Sequence, residues 1–136
     1  MLKFTSYLFF DGNCGEAFEL YAELFGGKLA IARYSDMPEM ENIPADQRDK
    51  IANVQLTVGS QELMGSDAPP QNLTKPGGYR VAIQLDDEAK TEQIFQRLAK
   101  RGSIDMPLDE TSWAKKFGMV TDRFGTRWMV SCGMAG

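Results

Sequence analysis

Histidine is absent from this 136-residue chain. That absence removes the commonest protein metal ligand and the commonest general base near neutral pH. Cysteine is scarce. Cys14 and Cys132 alone make no disulfide framework, and free thiols fit a reducing compartment. Positive charge is in deficit, with 15 Lys and Arg against 19 Asp and Glu and a net charge of -4. A nucleic-acid surface normally shows a basic face, so this balance argues against one. Long apolar runs are also missing. None approaches the roughly 20 residues that span a bilayer. The opening MLKFTSYLFFDG has too short an apolar stretch for a signal peptide. The expectation is a cytoplasmic protein with neither a nucleic-acid nor a membrane partner. What is present is 43% hydrophobic and 25% charged residues, a globular composition. The length suits one domain, or two very small modules sharing a core.

The pattern along the chain predicts the elements. Phe4 to Phe10 is aromatic and apolar and reads as a buried strand. Asn13 with Glu16 reads as a capping box opening a helix from about Cys14 to Phe25. Ala17, Leu20, Tyr21 and Leu24 form its apolar face, flanked by Phe18 and Phe25. Gly26-Gly27 stops the helix as a left-handed cap. Lys28 to Tyr34 reads as a strand, and Ser35 to Asp49 as a long acidic loop. Lys50 to Val58 alternates, with Val54, Leu56 and Val58 on one face and Asn53, Gln55 and Thr57 on the other. Gln61 to Gly65 returns as a hairpin, and Ser66 to Gly78, with three prolines and a Gly-Gly pair, reads as a linker.

The order then restarts. Tyr79 to Leu85 alternates as a strand, and Asp86-Asp87 opens a helix to Arg101 with Ile94, Phe95 and Leu98 inward. Gly102 ends it. Ser103 to Leu108 is a short strand, and Lys116 to Thr121 with Arg127 to Cys132 forms a last hairpin. Strand, helix and three strands occur twice, an internal repeat of pattern with little residue identity. The fold expected is α+β, two βαβββ modules forming one domain over 1–136. Module one covers about 1–67, the linker about 68–78 and module two about 79–136. Each module alone exposes a sheet face, so pairing two is the physical solution. A ferredoxin-like domain needs only one βαββαβ unit and leaves two strands over.

Several motifs carry a family resemblance. They are Tyr7 to Cys14, continuing through Glu16-Ala17-Phe18 to Tyr21 and Phe25-Gly26-Gly27, and Ala52 to Asp67 with its Leu63-Met64-Gly65-Ser66-Asp67 end. A third is Trp113 to Gly118, followed by Asp122, Phe124-Gly125 and Trp128. Together they resemble the PhnB-like proteins of the vicinal-oxygen-chelate superfamily, the group of glyoxalases, bleomycin-resistance proteins and extradiol dioxygenases. The resemblance spans nearly the whole chain. It implies a curved sheet with a concave pocket, and commonly a homodimer. It also brings the label 3-demethylubiquinone-9 3-methyltransferase-like. No glycine-rich strand-to-helix turn of the kind that holds a nucleotide-like cofactor accompanies that label.

Metal-dependent relatives use His, Glu or Gln ligands. Where they place a ligand glutamate after Asp-x-x-Gly, this chain has Met129. Where they place a histidine in the first strand of module two, it has Arg80. The matching place in module one falls near Ser6, and Asn53 stands where many PhnB-like chains carry a histidine. A thioether is a poor ligand for hard or borderline divalent ions, and a permanent cation repels them. A catalytic site needs about three ligands. The expectation is no metal and no cofactor.

The resemblance puts Asn53, Gln55, Thr57, Arg80, Ala82, Gln84, Arg127, Met129 and Ser131 on the pocket side. Phe9, Trp113 and Met129 are candidate apolar walls. Arg80 and Arg127 either grip a carboxylate or phosphate, or pair with acids of their own sheet. Cys14, at the first turn of a helix, is either a reactive thiol or a small packing residue, and Cys132 reads as buried filler. In the loop, Met37, Met40 and Ile43 form a lid, a dimer contact or neither, with Glu39 and Glu41 solvated. Three functions stand side by side. One is a metal-free binder of a small-molecule ligand, one an enzyme of unknown reaction, and one a methyltransferase. A metal-dependent glyoxalase- or dioxygenase-like activity is weakened by the missing histidines.

Overall fold

Strand, helix and three strands occur twice, as the pattern predicts. The computed structural model describes residues 1–40 and 42–134. Glu41, expected to be solvated, and the Met40 side chain lie outside the described residues. The chain divides into two units, Met1–Thr74 and Lys75–Gly136.

Unit one contains β1 (Ser6–Phe10), α1 (Cys14–Phe25), β2 (Lys28–Arg33), β3 (Ile51–Val58) and β4 (Gln61–Asp67). Its four strands lie in the order β1-β4-β3-β2. β1 runs parallel to β4, and the other pairs are antiparallel. Period-two alternation decides the faces. Val54 and Leu56 are buried under α1, while Asn53, Gln55 and Thr57 alternate away from it, as expected. The helix buries Cys14, Ala17, Phe18, Leu20, Tyr21 and Leu24. Phe18 lies in the core itself, meeting Phe10 and Tyr21 edge-on at 6.0 and 5.4 Å. Each such large side chain, taken from water, contributes about 1.5–3 kcal/mol.

Unit two repeats the plan with β5 (Val81–Leu85), α2 (Glu88–Ala99), β6 (Ser103–Asp109), β7 (Ala114–Thr121) and β8 (Arg127–Met134), in the order β5-β8-β7-β6. Ile94, Phe95 and Leu98 are buried as expected, with Thr91 beside them. β4 runs on to Asp67, so Ser66 and Asp67 belong to a strand and not to the linker.

The repeat is visible in glycines rather than in side chains. Gly27 and Gly102 each precede a strand. A Cβ on either would run into a carbonyl, Thr57 O for Gly27 and Thr121 O for Gly102. Thr57 and Thr121 hold matching places in β3 and β7. Gly102 follows the second helix as expected, but Arg101 takes the positive φ, at 60°, and Gly102 is required by the close approach. A second pair is inverted. Val54 lies opposite Gly65 in unit one, and Gly118 opposite Val130 in unit two. The missing side chain makes room for a helix aromatic. A Cβ on Gly65 would lie 2.7 Å from Phe18, and one on Gly118 would lie 2.9 Å from Phe95. Each unit keeps one valine and one glycine at this level, in opposite order. Total volume is conserved while identity is not.

Gly65→Ala is therefore expected to destabilise the protein by about 1–3 kcal/mol through overpacking. Urea unfolding measures this, and Phe18→Leu in the same chain should recover part of the loss. An unchanged midpoint for Gly65→Ala would contradict the packing described.

Candidate functional site

In each sheet one face is covered by the helix and the other is helix-free. Residues paired directly across a ladder share a face. On the helix-free face of unit one, Tyr7, Met64, Gln55 and Ala30 lie in one row, and Phe9, Ser66, Asn53 and Ala32 in the next. Tyr7 and Phe9 are exposed, with ring centroids 5.0 Å apart. Gln55 and Asn53 are half-buried. Asn53 Oδ1 is buried without a hydrogen-bond partner among the described residues. An unmet buried acceptor costs about 1–3 kcal/mol.

On the helix-free face of unit two, the central row is Ala82, Met129, Met119 and Met106. Three methionines thus lie side by side across β8, β7 and β6. One row on, Gln84, Ser131, Phe117 and Asp109 align, and Trp113 caps Phe117 edge-on at 5.3 Å. At the other end lie Arg80, Arg127, Thr121 and Ser103, Arg80 standing one residue before the Val81 to Trp128 pair. A bulge in β6 brings Asp105 to this end. Arg80 Nη1 donates to Asp105 Oδ2 at 3.0 Å and to Trp128 O at 3.2 Å. Thr121 Oγ1 donates to the same carboxylate oxygen at 2.6 Å. The Thr121 hydroxyl foremost, with Arg80, holds the Asp105 carboxyl below the usual carboxylate range. Of the two arginine readings, Arg80 thus takes the pairing one. Arg127 is half-buried and has no hydrogen-bond or ion-pair partner among the described residues.

Cys14 proves to be a packing residue. It is fully buried, and burial, then the nearby Asp67, pushes its thiol up to about 12. The helix N-terminus favours a thiolate, but that donor end is already taken. The Cys14 amide donates to Asp67 Oδ1 at 3.0 Å, and the Ile51 amide to Oδ2 at 3.0 Å. The Asn13–Glu16 capping box expected from sequence does not form; Asn13 makes no side-chain cap. A strand residue 53 positions away caps the helix instead. Tyr34 OH donates to the Asp67 carbonyl at 2.9 Å. Burial first, then Tyr7, Asp67 and Cys14, push the Tyr34 hydroxyl above its ordinary range. Tyr34 and Ile51 bracket the long loop, so Asp67 grips both of its ends. The base is closed further by Tyr34 N to Lys50 O at 3.1 Å and Ser35 N to Arg48 O at 2.9 Å. The loop is an Ω-loop on a fixed base. Met37 and Ile43 are half-buried and Glu39 is exposed.

Asp122, the other acid singled out by motif, is buried and fully engaged. It accepts from Phe124 N, Thr126 N and Trp128 Nε1 at 2.9, 3.0 and 2.8 Å. It builds the β7–β8 turn and fixes the tryptophan, so it is no metal donor. No group of three or more His, Cys, Asp or Glu among the described residues could hold a metal. The helix-free faces carry thioethers, amides, hydroxyls and arginines, with two carboxylates, Asp109 and an Asp105 already held by Arg80 and Thr121. That set offers too few free oxygen or nitrogen ligands for a hard or borderline divalent ion.

The family model described as 3-demethylubiquinone-9 3-methyltransferase matches residues 2–131. The chain belongs to that family. Its relatives include protein YjdN of Escherichia coli, 30% identical over 96% of this chain and 95% of that protein. Protein PA1353 of Pseudomonas aeruginosa has a crystal structure 44% identical, with a TM-score of 0.88 over 98% of each chain. A PhnB protein of Bacillus cereus is 29% identical, with a TM-score of 0.82 over 97% of this chain and 100% of that one. This is the PhnB-like group. A glyoxalase-related enzyme of Fulvimarina pelagi, at 17% identity and a TM-score of 0.61 over 97% of this chain and 89% of that one, shares the fold alone. The family's label names a methyl transfer, but the residues here do not fit a nucleotide-like cofactor. A carboxylate already takes an amide at each helix N-terminus, Asp67 of β4 at α1 and Asp87 at α2. A glycine-rich turn with free amides is what such cofactors use.

The structure gathers the sequence candidates into two groups. Asn53 and Gln55 share a face with Phe9 in unit one. Arg80, Gln84, Arg127, Met129 and Trp113 gather at one face in unit two. Sequence reading missed Asp67 as a cap, Asp105 as the partner of Arg80, and Met119 and Met106 beside Met129. Met119 was accessible from alternation in β7. Asp105 was hidden by the bulge.

The thiol environment is testable. Cys14 should stay unreactive toward a disulfide reagent at pH 8 until the protein is unfolded. Its folded pKa lies above the unfolded one, so its stabilising share is full below about pH 9 and is lost as pH rises toward 12. Cys14→Ala should lack that part of the alkaline loss in urea titrations. Native-state labelling of Cys14 at the rate of a free thiol would contradict the burial.

Proposed function

We propose that this protein binds a small molecule through its helix-free sheet faces without a metal. The observation that carries the reading is the Asn53 acceptor, orphaned among the described residues, on the same sheet face as the exposed pair Tyr7 and Phe9 and one strand removed from them. A buried acceptor without a partner is a cost that folding alone does not repay. A ligand donor group stacked against aromatic rings would meet it, and apolar walls with a few placed polar groups are the usual make-up of ligand sites. Arg127, without a partner among the described residues and one row from the methionines of unit two, supports the same reading.

Asn53→Leu, close in shape, separates the two roles. It should raise the unfolding free energy by about 1–3 kcal/mol, since the unmet acceptor is removed. It should also abolish ligand-induced stabilisation. A thermal-shift panel of aromatic amides, amines and carboxylates reads both. The reading requires at least one compound that stabilises the natural chain saturably and fails on Asn53→Leu. A panel without any binder at millimolar concentration would sink it.

A homodimer is part of the proposal. β1 is an edge strand of its sheet, and Leu2 and Phe4 before it are 81% and 91% exposed. Uncovered apolar edges invite a second copy. Light scattering should give twice the chain mass, and Phe4→Asp should shift it toward the monomer. A monomer at every concentration counts against this.

A further inference from the structure

We propose that Asp105 is a built-in occupant of an anion site formed by Arg80, Arg127 and Thr121, and that the protein's ligand carries an anionic group that takes its place. The inference rests on the binding reading above and names the class of ligand, an apolar body with one carboxylate or similar anion.

The geometry is that of a filled site. The Asp105 carboxylate receives Arg80 Nη1 at 3.0 Å, Thr121 Oγ1 at 2.6 Å and Ser103 Oγ at 3.4 Å. These donors come from three separate segments, the start of β5, the end of β7 and β6 itself. Arg127 is opposite Thr121 in the ladder, so a second guanidinium stands in the same row. Two guanidiniums, Arg80 and Arg127, and one carboxylate, Asp105, thus lie at this end of the sheet, and Asp105 engages only the first of the two guanidiniums.

The occupant is weakly held. Asp105 sits at a bulge, and the β6–β7 register shifts on both sides of Met106. β6 is an edge strand, so nothing in its own sheet restrains its outer side. The Asp105 side chain is 31% exposed, while Arg80 is only 13% exposed. Exposed ion pairs contribute little, about 0–1 kcal/mol. The receptor side is thus fixed and the occupant loose. The next row is Met129, Met119 and Met106, which gives an apolar, adaptable bed beside the cations. An anionic head at Arg80 and Arg127 places an apolar body over the methionines.

The test titrates the full chain by calorimetry with 2-naphthoate and with neutral 2-naphthamide at low salt. Asp105→Asn should tighten 2-naphthoate about fivefold, in line with release of a weak ion pair, and leave 2-naphthamide unchanged. Arg127→Met should weaken 2-naphthoate selectively. Arg80→Met added to Asp105→Asn should cancel the gain. Asp105→Ala serves as a second variant, with urea midpoints confirming that each variant folds. If both probes bind but Asp105→Asn favours neither, binding stands and the anion site is wrong. If the gain appears equally for 2-naphthamide, the occupant idea is wrong. If neither probe binds any folded variant, this inference fails, and the binding reading then stands or falls on the compound panel.

Discussion

Each sheet in this chain has one helix, and a sheet has two faces. A single 12-residue helix covers one of them. Alternation along every strand then sends half the side chains to a face the helix never touches. The composition of that face is free of the demands of the helix core, which takes Phe18, Tyr21, Val54, Leu56, Phe95, Val130 and Trp128. What the helix-free faces carry is therefore informative. They hold amides, hydroxyls, arginines, methionines, exposed aromatics and the carboxylates of Asp105 and Asp109, a mixture suited to recognising a molecule rather than to filling a core.

The two units solve the same problem with different residues. At the end of the parallel pair, Phe10 lies opposite Asp67 in unit one and Leu85 opposite Cys132 in unit two. In unit one the strand acid caps the helix from outside and anchors both ends of the Ω-loop. In unit two Asp87 caps its own helix, accepting from Lys90 N at 3.0 Å, and the strand position is left to a buried thiol. The long loop and the external cap occur in the same unit. A loop of this length between β2 and β3 needs its base closed, and a buried carboxylate with two fixed amide donors closes it. Cys14 pays for this with a thiol that cannot ionise near neutrality, which rules out the nucleophile role its helix position suggests.

The architecture was legible because it rests on short-range signals. Helix α1 begins and ends where its pattern predicts, and β3 alternates as read. The family motifs were legible as well, since Trp113 to Gly118 and Asp122 to Trp128 carry one strand and one turn of unit two. What stayed hidden depends on long-range partners. Asn13 followed by Glu16 is a good local cap signal, yet a carboxylate 53 residues away took the amide. Arg80 read as a ligand grip or an ion pair with equal right. Only the bulge at Asp105, which breaks strict alternation in β6, decides for the pair. Asn53 and Gln55 were placed on the correct face by period two, but no sequence rule predicts that Asn53 Oδ1 lacks a partner.

The positions that the resemblance sets apart from metal-binding relatives can be compared with what an ion would supply. A metal ion supplies one compact positive charge at which ligand oxygens converge. The resemblance places Met129 and Arg80 where metal-dependent relatives carry ligands, and Arg80 with Arg127 puts positive charge on the same sheet face in fixed form. A guanidinium is charged at every accessible pH and binds oxygens in a plane, where an ion binds them in a shell. It cannot lower the pKa of a bound water, so it offers recognition of an anion and no activated hydroxide. On this face the chemistry available is therefore electrostatic grip beside an apolar bed. The substitutions agree with one another. The Met129 thioether is a poor ligand for a hard ion, but it extends the apolar row that an amphipathic anion requires.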